Sequence, residues 1–123
     1  MNKNDIKKVE LAEAFKFINK YWSPKIAGEL NGQYVKIAKF KGEFVWHQHD
    51  NEDELFLVIK GVLKIKLLDQ ELTLREGDFA IIPKGVQHLP IAEEELQVLM
   101  FEPKSTINTG EVTNELTTDC EWI

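Results

Sequence analysis

The chain changes rhythm near residue 34. Before it, Ile6, Val9, Leu11, Ala14, Phe15, Phe17 and Ile18 recur at the spacing of one helical face. That spacing predicts a short amphipathic helix over Val9–Asn19, ended before Ser23-Pro24. After it, short apolar or alternating segments are cut by turn residues. Tyr34–Lys41 alternates apolar and basic side chains, as a half-buried strand does, and Phe44–His49, Leu55–Ile59, Val62–Leu68, Glu71–Leu74, Phe79–Ile82 and Leu96–Glu102 follow as strands. Gly42, Asp50–Asp53, Gly61, Asp69-Gln70, Gly77 and Pro83–Gly85 supply the punctuation. Short strands at this spacing predict an all-β sandwich or barrel rather than alternating strand–helix units. No repeat, linker or low-complexity stretch divides residues 1–123, so a single domain is expected. The run Glu93-Glu94-Glu95 lacks the spacing of a calcium loop and reads as a solvated hairpin turn. Asn108-Thr109-Gly110 reads as another turn.

Composition narrows the function classes. With 123 residues, 43% of them apolar, the chain can bury one real core. Fifteen basic against 21 acidic residues give a net charge of −6, and Arg75 is the only arginine, so no basic face exists to neutralise the phosphates of a nucleic acid. Cys120 stands alone, which excludes an intramolecular disulfide and a zinc site of several thiolates. Met1–Asp5 leads into charged sequence rather than the apolar stretch of a signal peptide. The longest clean apolar run, Leu55–Ile59, falls far short of the ~20 residues that span a bilayer. A soluble, cytoplasmic protein is expected, with neither nucleic acid nor membrane as partner.

The histidines change the picture. His47 and His49 occupy alternate positions of an expected strand, hence one face, with Cα atoms about 6.5–7 Å apart. Asp50–Asp53 form a polar four-residue turn, and a hairpin there sets Glu54 opposite His49, pairing His47 with Phe56 and Val45 with Val58. Two imidazoles and a carboxylate then share one face, backed by apolar residues. Glu54 opens an otherwise apolar run, and an inward carboxylate is costly unless a partner such as a divalent cation compensates it. Either that cation is present, or a bulge breaks the parity and Glu54 belongs to the exposed turn. Gly77–His88 adds a glycine turn, a strand, a Pro83–Gly85 turn and the third histidine, which a tight turn can return to the first pair.

These stretches resemble the paired motifs of the cupin superfamily. The first spans residues 42–61, a glycine, the His47-Gln-His49 pair, Glu54 and Gly61; the second spans residues 77–88, Gly77, the Pro83-Lys-Gly85 turn and His88. Gly42 lies one residue closer to His47 than in the usual pattern, and Ala92 stands where an asparagine often follows; neither is a ligand position. The resemblance implies a double-stranded β-helix, a cupin jelly-roll barrel with a short N-terminal helix, and one divalent metal ion inside. His47, His49, Glu54 and His88 match the family's four ligands one by one. Small single-domain cupins are commonly homodimers, with the N-terminal segment packing on a partner's sheet.

Three neutral imidazoles and a carboxylate leave a divalent ion a net charge near +1, with positions open if it is six-coordinate. That suits Fe, Mn or Ni, whereas Zn can close a tetrahedral site with the same ligands. By parity Val45, Phe56 and Val58 face inward, and Phe44, Trp46, Leu55, Leu57 and Ile59 face away. On the last strand either Leu96, Val98 and Met100 or Gln97, Leu99 and Phe101 line the barrel. The pocket candidates are Val45, Phe56, Val58, Val98 and Met100, a mostly apolar lining that suits a small-molecule ligand. A phosphosugar would want a cationic clamp, for which only Arg75 and Lys84 stand nearby. The expected function is metal-dependent catalysis on a small organic molecule, as a sugar or uronate isomerase or as a dioxygenase. The alternative is a non-catalytic, metal-dependent binding or sensor module. No catalytic residue beyond the ligands is assigned.

Overall fold

Inward-facing side chains of six strands build the interior. The computed structural model describes residues 6–123. Its elements are α1 (Leu11–Phe15), β1 (Lys25–Leu30), β2 (Gln33–Glu43), β3 (Glu54–Lys60), β4 (Leu63–Lys66), β5 (Glu71–Leu74), β6 (Phe79–Ile82), β7 (Leu89–Pro103) and β8 (Glu121–Trp122). The opening Met1–Asp5, read above for a leader, lies outside the described residues. No helix among the described residues is long and apolar enough to cross a membrane.

The long strand β7 is the spine. One edge pairs antiparallel with β2, from Gln33↔Pro103 to Glu43↔Ile91. Its other edge serves β4 through Leu89–Ile91 and β3 through Gln97–Phe101. β5, β6 and β1 extend β4, β3 and β2, and β8 runs parallel to β1. Inner residues from β2 to β7, including Ala38, Val58, Ile65, Leu74, Ile82 and Val98, share one buried cluster. The sheet must therefore curl around that cluster, and it does so without closing. This is the all-β jelly roll with a short N-terminal helix that the sequence leads one to expect.

On β2 the positions Lys36, Ala38 and Phe40 point inward, while Ile37 packs on the opposite face against Ala14, Phe15, Ile18 and Ala27. Ala14, Phe15 and Ile18 of the N-terminal segment thus pack on this chain's own sheet. Helix α1 is five residues, shorter than the Val9–Asn19 expected, and Glu10 at its start makes no side-chain capping hydrogen bond. A helix this short owes its existence to the burial of Phe15.

Three expectations are corrected. Strand β1 was not foreseen; it joins β2 through the two-residue turn Asn31-Gly32, whose positive φ values of 51° and 76° suit asparagine and glycine. Glu93–Glu95 form no hairpin turn: Phe40 pairs with Leu96 and Gly42 with Ala92, so three residues of β7 bulge opposite Lys41 alone. The bulge turns its charges outward, where Glu93 accepts from Lys64 at 2.7 Å and Glu95 from the Tyr21 hydroxyl at 2.8 Å. Phe44–His49 forms no strand, because β6 and β7 already occupy both edges of β3.

Candidate metal centre

With no edge of β3 to join, the His47–His49 segment pairs elsewhere. The expected pairings of His49 with Glu54, His47 with Phe56 and Val45 with Val58 are replaced by a two-way bridge between His47 and His88. The His47 amide donates to the His88 carbonyl at 3.1 Å, and the His88 amide donates back at 2.9 Å. The two motifs are thus stapled backbone to backbone, with the His47 and His88 rings 4.2 Å apart. The Gly85 amide donates to the His49 carbonyl at 2.8 Å, and the Glu111 amide to that of Gln48 at 3.2 Å. Gly110, at φ +61°, packs so closely that any Cβ would collide with the Gln48 carbonyl. The C-terminal segment therefore fixes the loop that carries the histidine pair.

Glu54 enters from the first position of β3, opposite Ile82, on the same inward parity as Phe56 and Val58. It belongs to the strand, not to the exposed turn. His47, His49, Glu54 and His88 are all buried, and one potential ligand atom from each lies within 4.8 Å of the others. Two tautomers are set by the backbone. His47 Nδ1 donates to the Val45 carbonyl at 2.8 Å and His88 Nδ1 to the Val86 carbonyl at 2.9 Å. Each leaves its Nε2 lone pair free, the usual preparation of a metal-bound imidazole.

Both His49 nitrogens, His88 Nε2 and Glu54 Oε1 are buried with no hydrogen-bond partner. Glu54 Oε1 lies 3.4 Å from His49 Nε2 and from His88 Nε2. Leaving such atoms unsatisfied costs about 1–3 kcal/mol each, and a divalent cation would satisfy one His49 nitrogen, His88 Nε2 and Glu54 Oε1 together. The donor set therefore fits a metal. Burial, and then the neighbouring His88, lowers the His47 imidazole to about 4, so it is the neutral, ligating form at pH 7. Burial alone would raise the Glu54 carboxyl, but the His49 and His88 imidazoles 3.4 Å away outweigh it and hold Glu54 below the ordinary carboxylate range.

A cavity of about 20 Å³ adjoins His47 and Glu54. Phe56 and Met100, two of the pocket candidates, line it. Val58 and Val98 are packed in the apolar core behind it, and half-buried Val45 contributes a carbonyl to His47 instead of a wall. Phe44, expected on the outer face, lines the cavity, because irregular backbone frees it from strand parity. There it stacks on Trp22 with ring centroids 4.8 Å apart. Trp46 is exposed, as its position implied. On β7 the buried set is Leu96, Val98 and Met100.

Two charged residues of the cavity were not among the candidates read from the sequence. Lys36 and Glu102 are both 2% exposed, and Lys36 Nζ lies 3.7 Å from Glu102 Oε2. The available signal was parity: Lys36 shares it with Ala38 and Phe40, and Glu102 with Met100. Burial and the charge of Glu54 push the Glu102 carboxyl well above its ordinary value, although Lys36 opposes the shift.

The family model described as "Cupin domain" matches residues 33–102. The uncharacterized protein YdbB of Bacillus subtilis is 44% identical over 61 residues, which are 49% of this chain and 54% of that protein. The match thus spans about half the length of that curated relative. Among solved structures, a cupin-2 domain containing protein from Shewanella frigidimarina is 42% identical with a TM-score of 0.76, covering 77% of this chain and 93% of that one. Protein NMB1881 from Neisseria meningitidis is 28% identical with a TM-score of 0.73, covering 79% and 99%.

Proposed function

Since the chain belongs to the cupin family, we propose that His47, His49, Glu54 and His88 hold one divalent ion, Fe, Mn, Ni or Zn, and that the protein acts on a small organic molecule beside it. The observation that carries this reading is the convergence of buried ligand atoms that have no other partner. A bound ion would supply Lewis-acid polarisation to an oxygen-bearing ligand, the chemistry of an isomerase or a dioxygenase. The chain's own part is to hold the ligand atoms in place. The carbonyls of Val45 and Val86 set two tautomers, and Gly110 against Gln48 steadies the loop. Phe44, Trp22 and Phe56 wall the cavity against water.

Elemental analysis of protein purified without added metal tests the site. Near-stoichiometric metal in the wild type, lost in His47→Ala and His88→Ala, supports it; metal that survives unchanged in both overturns it. Oxygen uptake by the Fe(II) form over diols, phenolics and uronates, with product analysis for isomerisation, tests catalysis. The alternative, a non-catalytic binding or sensor module, draws on the small volume of the cavity. Silence across the panel with tight retention of one compound decides for it. A homodimer belongs to the same proposal, supported by exposed Phe79 and Ile81 on β6, which among the described residues pairs only with β3. A monomeric mass in sedimentation would refute it.

A further inference from the structure

Lys36 is an unusual side chain for its place. A lysine is almost never fully buried unless it is paired, and the pairing here is incomplete. Nζ stands 3.7 Å from Glu102 Oε2, beyond hydrogen-bond distance, and 3.4 Å from the Thr106 carbonyl oxygen. Glu102 Oε2 and Thr106 Oγ1 have no hydrogen-bond partner although both are buried. Three charged or polar groups thus meet with valences left over, as they do at the metal cluster. Strand register explains the place: Met100 of β7 lies opposite Lys36 of β2 on one edge and Phe56 of β3 on the other. The next inward residue, Glu102, comes beside Glu54, and all of these except Thr106 line the metal cavity.

The charges set the sign of the missing partner. A divalent ion, Glu54, Lys36 and an ionised Glu102 leave the site with a net +1, and a protonated Glu102 makes it +2. In either state a neutral ligand leaves buried charge uncompensated, and an anion cancels it. Lys36 also borders a second hollow, of about 290 Å³, shared with Lys104, Thr106 and Cys120. Lys36 thus lines both hollows, and a ligand larger than the ~20 Å³ metal cavity must extend into the wider one. Between the two polar ends, Phe56 and Met100 offer apolar surface to a short carbon chain.

We propose that Lys36 and Glu102 form a carboxylate-reading subsite, and that a short hydroxy acid binds across the metal cavity and the wider hollow that Lys36 also lines. Its carboxylate accepts hydrogen bonds from the Lys36 ammonium, its hydroxyl pairs with Glu102, and a further oxygen faces the ion. A hydroxyl both donates and accepts, so it suits Glu102 in either protonation state. This subsite rests on the metal reading above.

The test is calorimetric binding of glycolate, lactate and malate, against their uncharged amides, to the zinc-loaded protein. The variant carries Lys36→Met and Glu102→Gln together, which removes both charges at similar volume and strands neither. Metal content is measured first in both proteins. In the wild type the acids should bind at least ~10-fold tighter than the amides, the scale of one charge-assisted hydrogen bond. Since zinc alone favours a carboxylate, the deciding result is the change in that ratio. In the double variant, still zinc-loaded, the acid-to-amide ratio should fall by at least ~5-fold. A ratio unchanged in the variant overturns the subsite, as does the absence of any preference from the zinc-loaded wild type. A wild type that takes up no ion overturns the metal reading and the subsite with it, so the two failures are told apart by metal content.

Discussion

Follow the inward side chains along three strands and the interior divides into two ends. On β2 the order is Phe40, Ala38, Lys36; on β3 it is Val58, Phe56, Glu54; on β7 it is Leu96, Val98, Met100, Glu102. Each strand passes from apolar to charged within a few residues, where two residues advance about 6.5–7 Å. Burial does not distinguish the ends, since Val58, Leu96 and Val98 are 0% exposed and Lys36, Glu54 and Glu102 no more than 4%. They differ in how each site is satisfied. The apolar end is complete with protein atoms alone, whereas the polar end, with His49, His88, Glu54, Glu102 and Thr106, holds every buried side-chain atom found without a partner among the described residues. Equal burial with unequal satisfaction separates a core from a site.

The largest effect should come from exchanging the character of the two ends. Val98→Asp places a carboxylate among Val58, Ala38 and Leu96 with no cation in reach. The cost, several kcal/mol, is comparable with the whole stability of a domain, about 5–15 kcal/mol. No cooperative urea transition is expected. Glu54→Gln, at the polar end of the same interior, should still show a cooperative urea transition, losing without metal only the favourable contact of the carboxylate with His49 and His88. A folded Val98→Asp protein with a wild-type midpoint would break the comparison.

Next in size are truncations at each end. Leu96→Ala removes a fully buried side chain packed directly over Gly61, where even a Cβ would come within 2.9 Å of that of Leu96. It should cost about 2–5 kcal/mol, equally with and without zinc. His88→Ala should behave differently. Zinc at 100–1,000 times its dissociation constant should stabilise the wild type by about 3–4 kcal/mol, and the variant should lose that increment while its metal-free stability changes less. Denaturation of each protein with and without zinc reads both. A zinc increment that persists in His88→Ala would place the ion elsewhere.

What could be read from the chain divides along the same line. Parity places Glu54 inward because an apolar run pins the register of β3, and that conclusion survives although the hairpin used to reach it does not form. The strand β1 was written in Asn31-Gly32, a two-residue hairpin turn between Leu30 and Gln33, but the apolar pattern before it is too short to attract notice. Lys36 and Glu102 were missed for a deeper reason. In a strand that alternates apolar and basic residues, lysine is taken as the outward set, and only a partner reverses that choice. The partner lies on β7, brought near by pairing of β2 with β7 that no local spacing records. The His47–His88 bridge is equally long-range. Local chemistry nominates the ligands, and strand pairing across the chain decides what else shares their cavity.

The smallest predicted effect is a pH dependence confined to the polar end. The His47 imidazole lies near 4 in the fold and near 6.5 when unfolded. Between those values the unfolded chain binds a proton that the folded one refuses. Stability is therefore fully present above about pH 6.5 and falls as pH drops toward 4, by roughly 3 kcal/mol in all. Glu102 has the opposite sign, because its folded carboxyl is raised and stability is lost as pH climbs above the ordinary carboxylate value. The depressed Glu54 acts below this window. In the metal-free wild type the His47 and Glu102 contributions offset each other. Replacing Glu102 with glutamine should unmask a steeper rise in stability from pH 4.5 to 7, measured by urea denaturation. Leu96→Ala should shift the wild-type curve down without changing its slope, since nothing at the apolar end titrates. A flat profile in Glu102→Gln would show that His47 is not held neutral by burial, and would remove the charge state on which its role as a ligand depends.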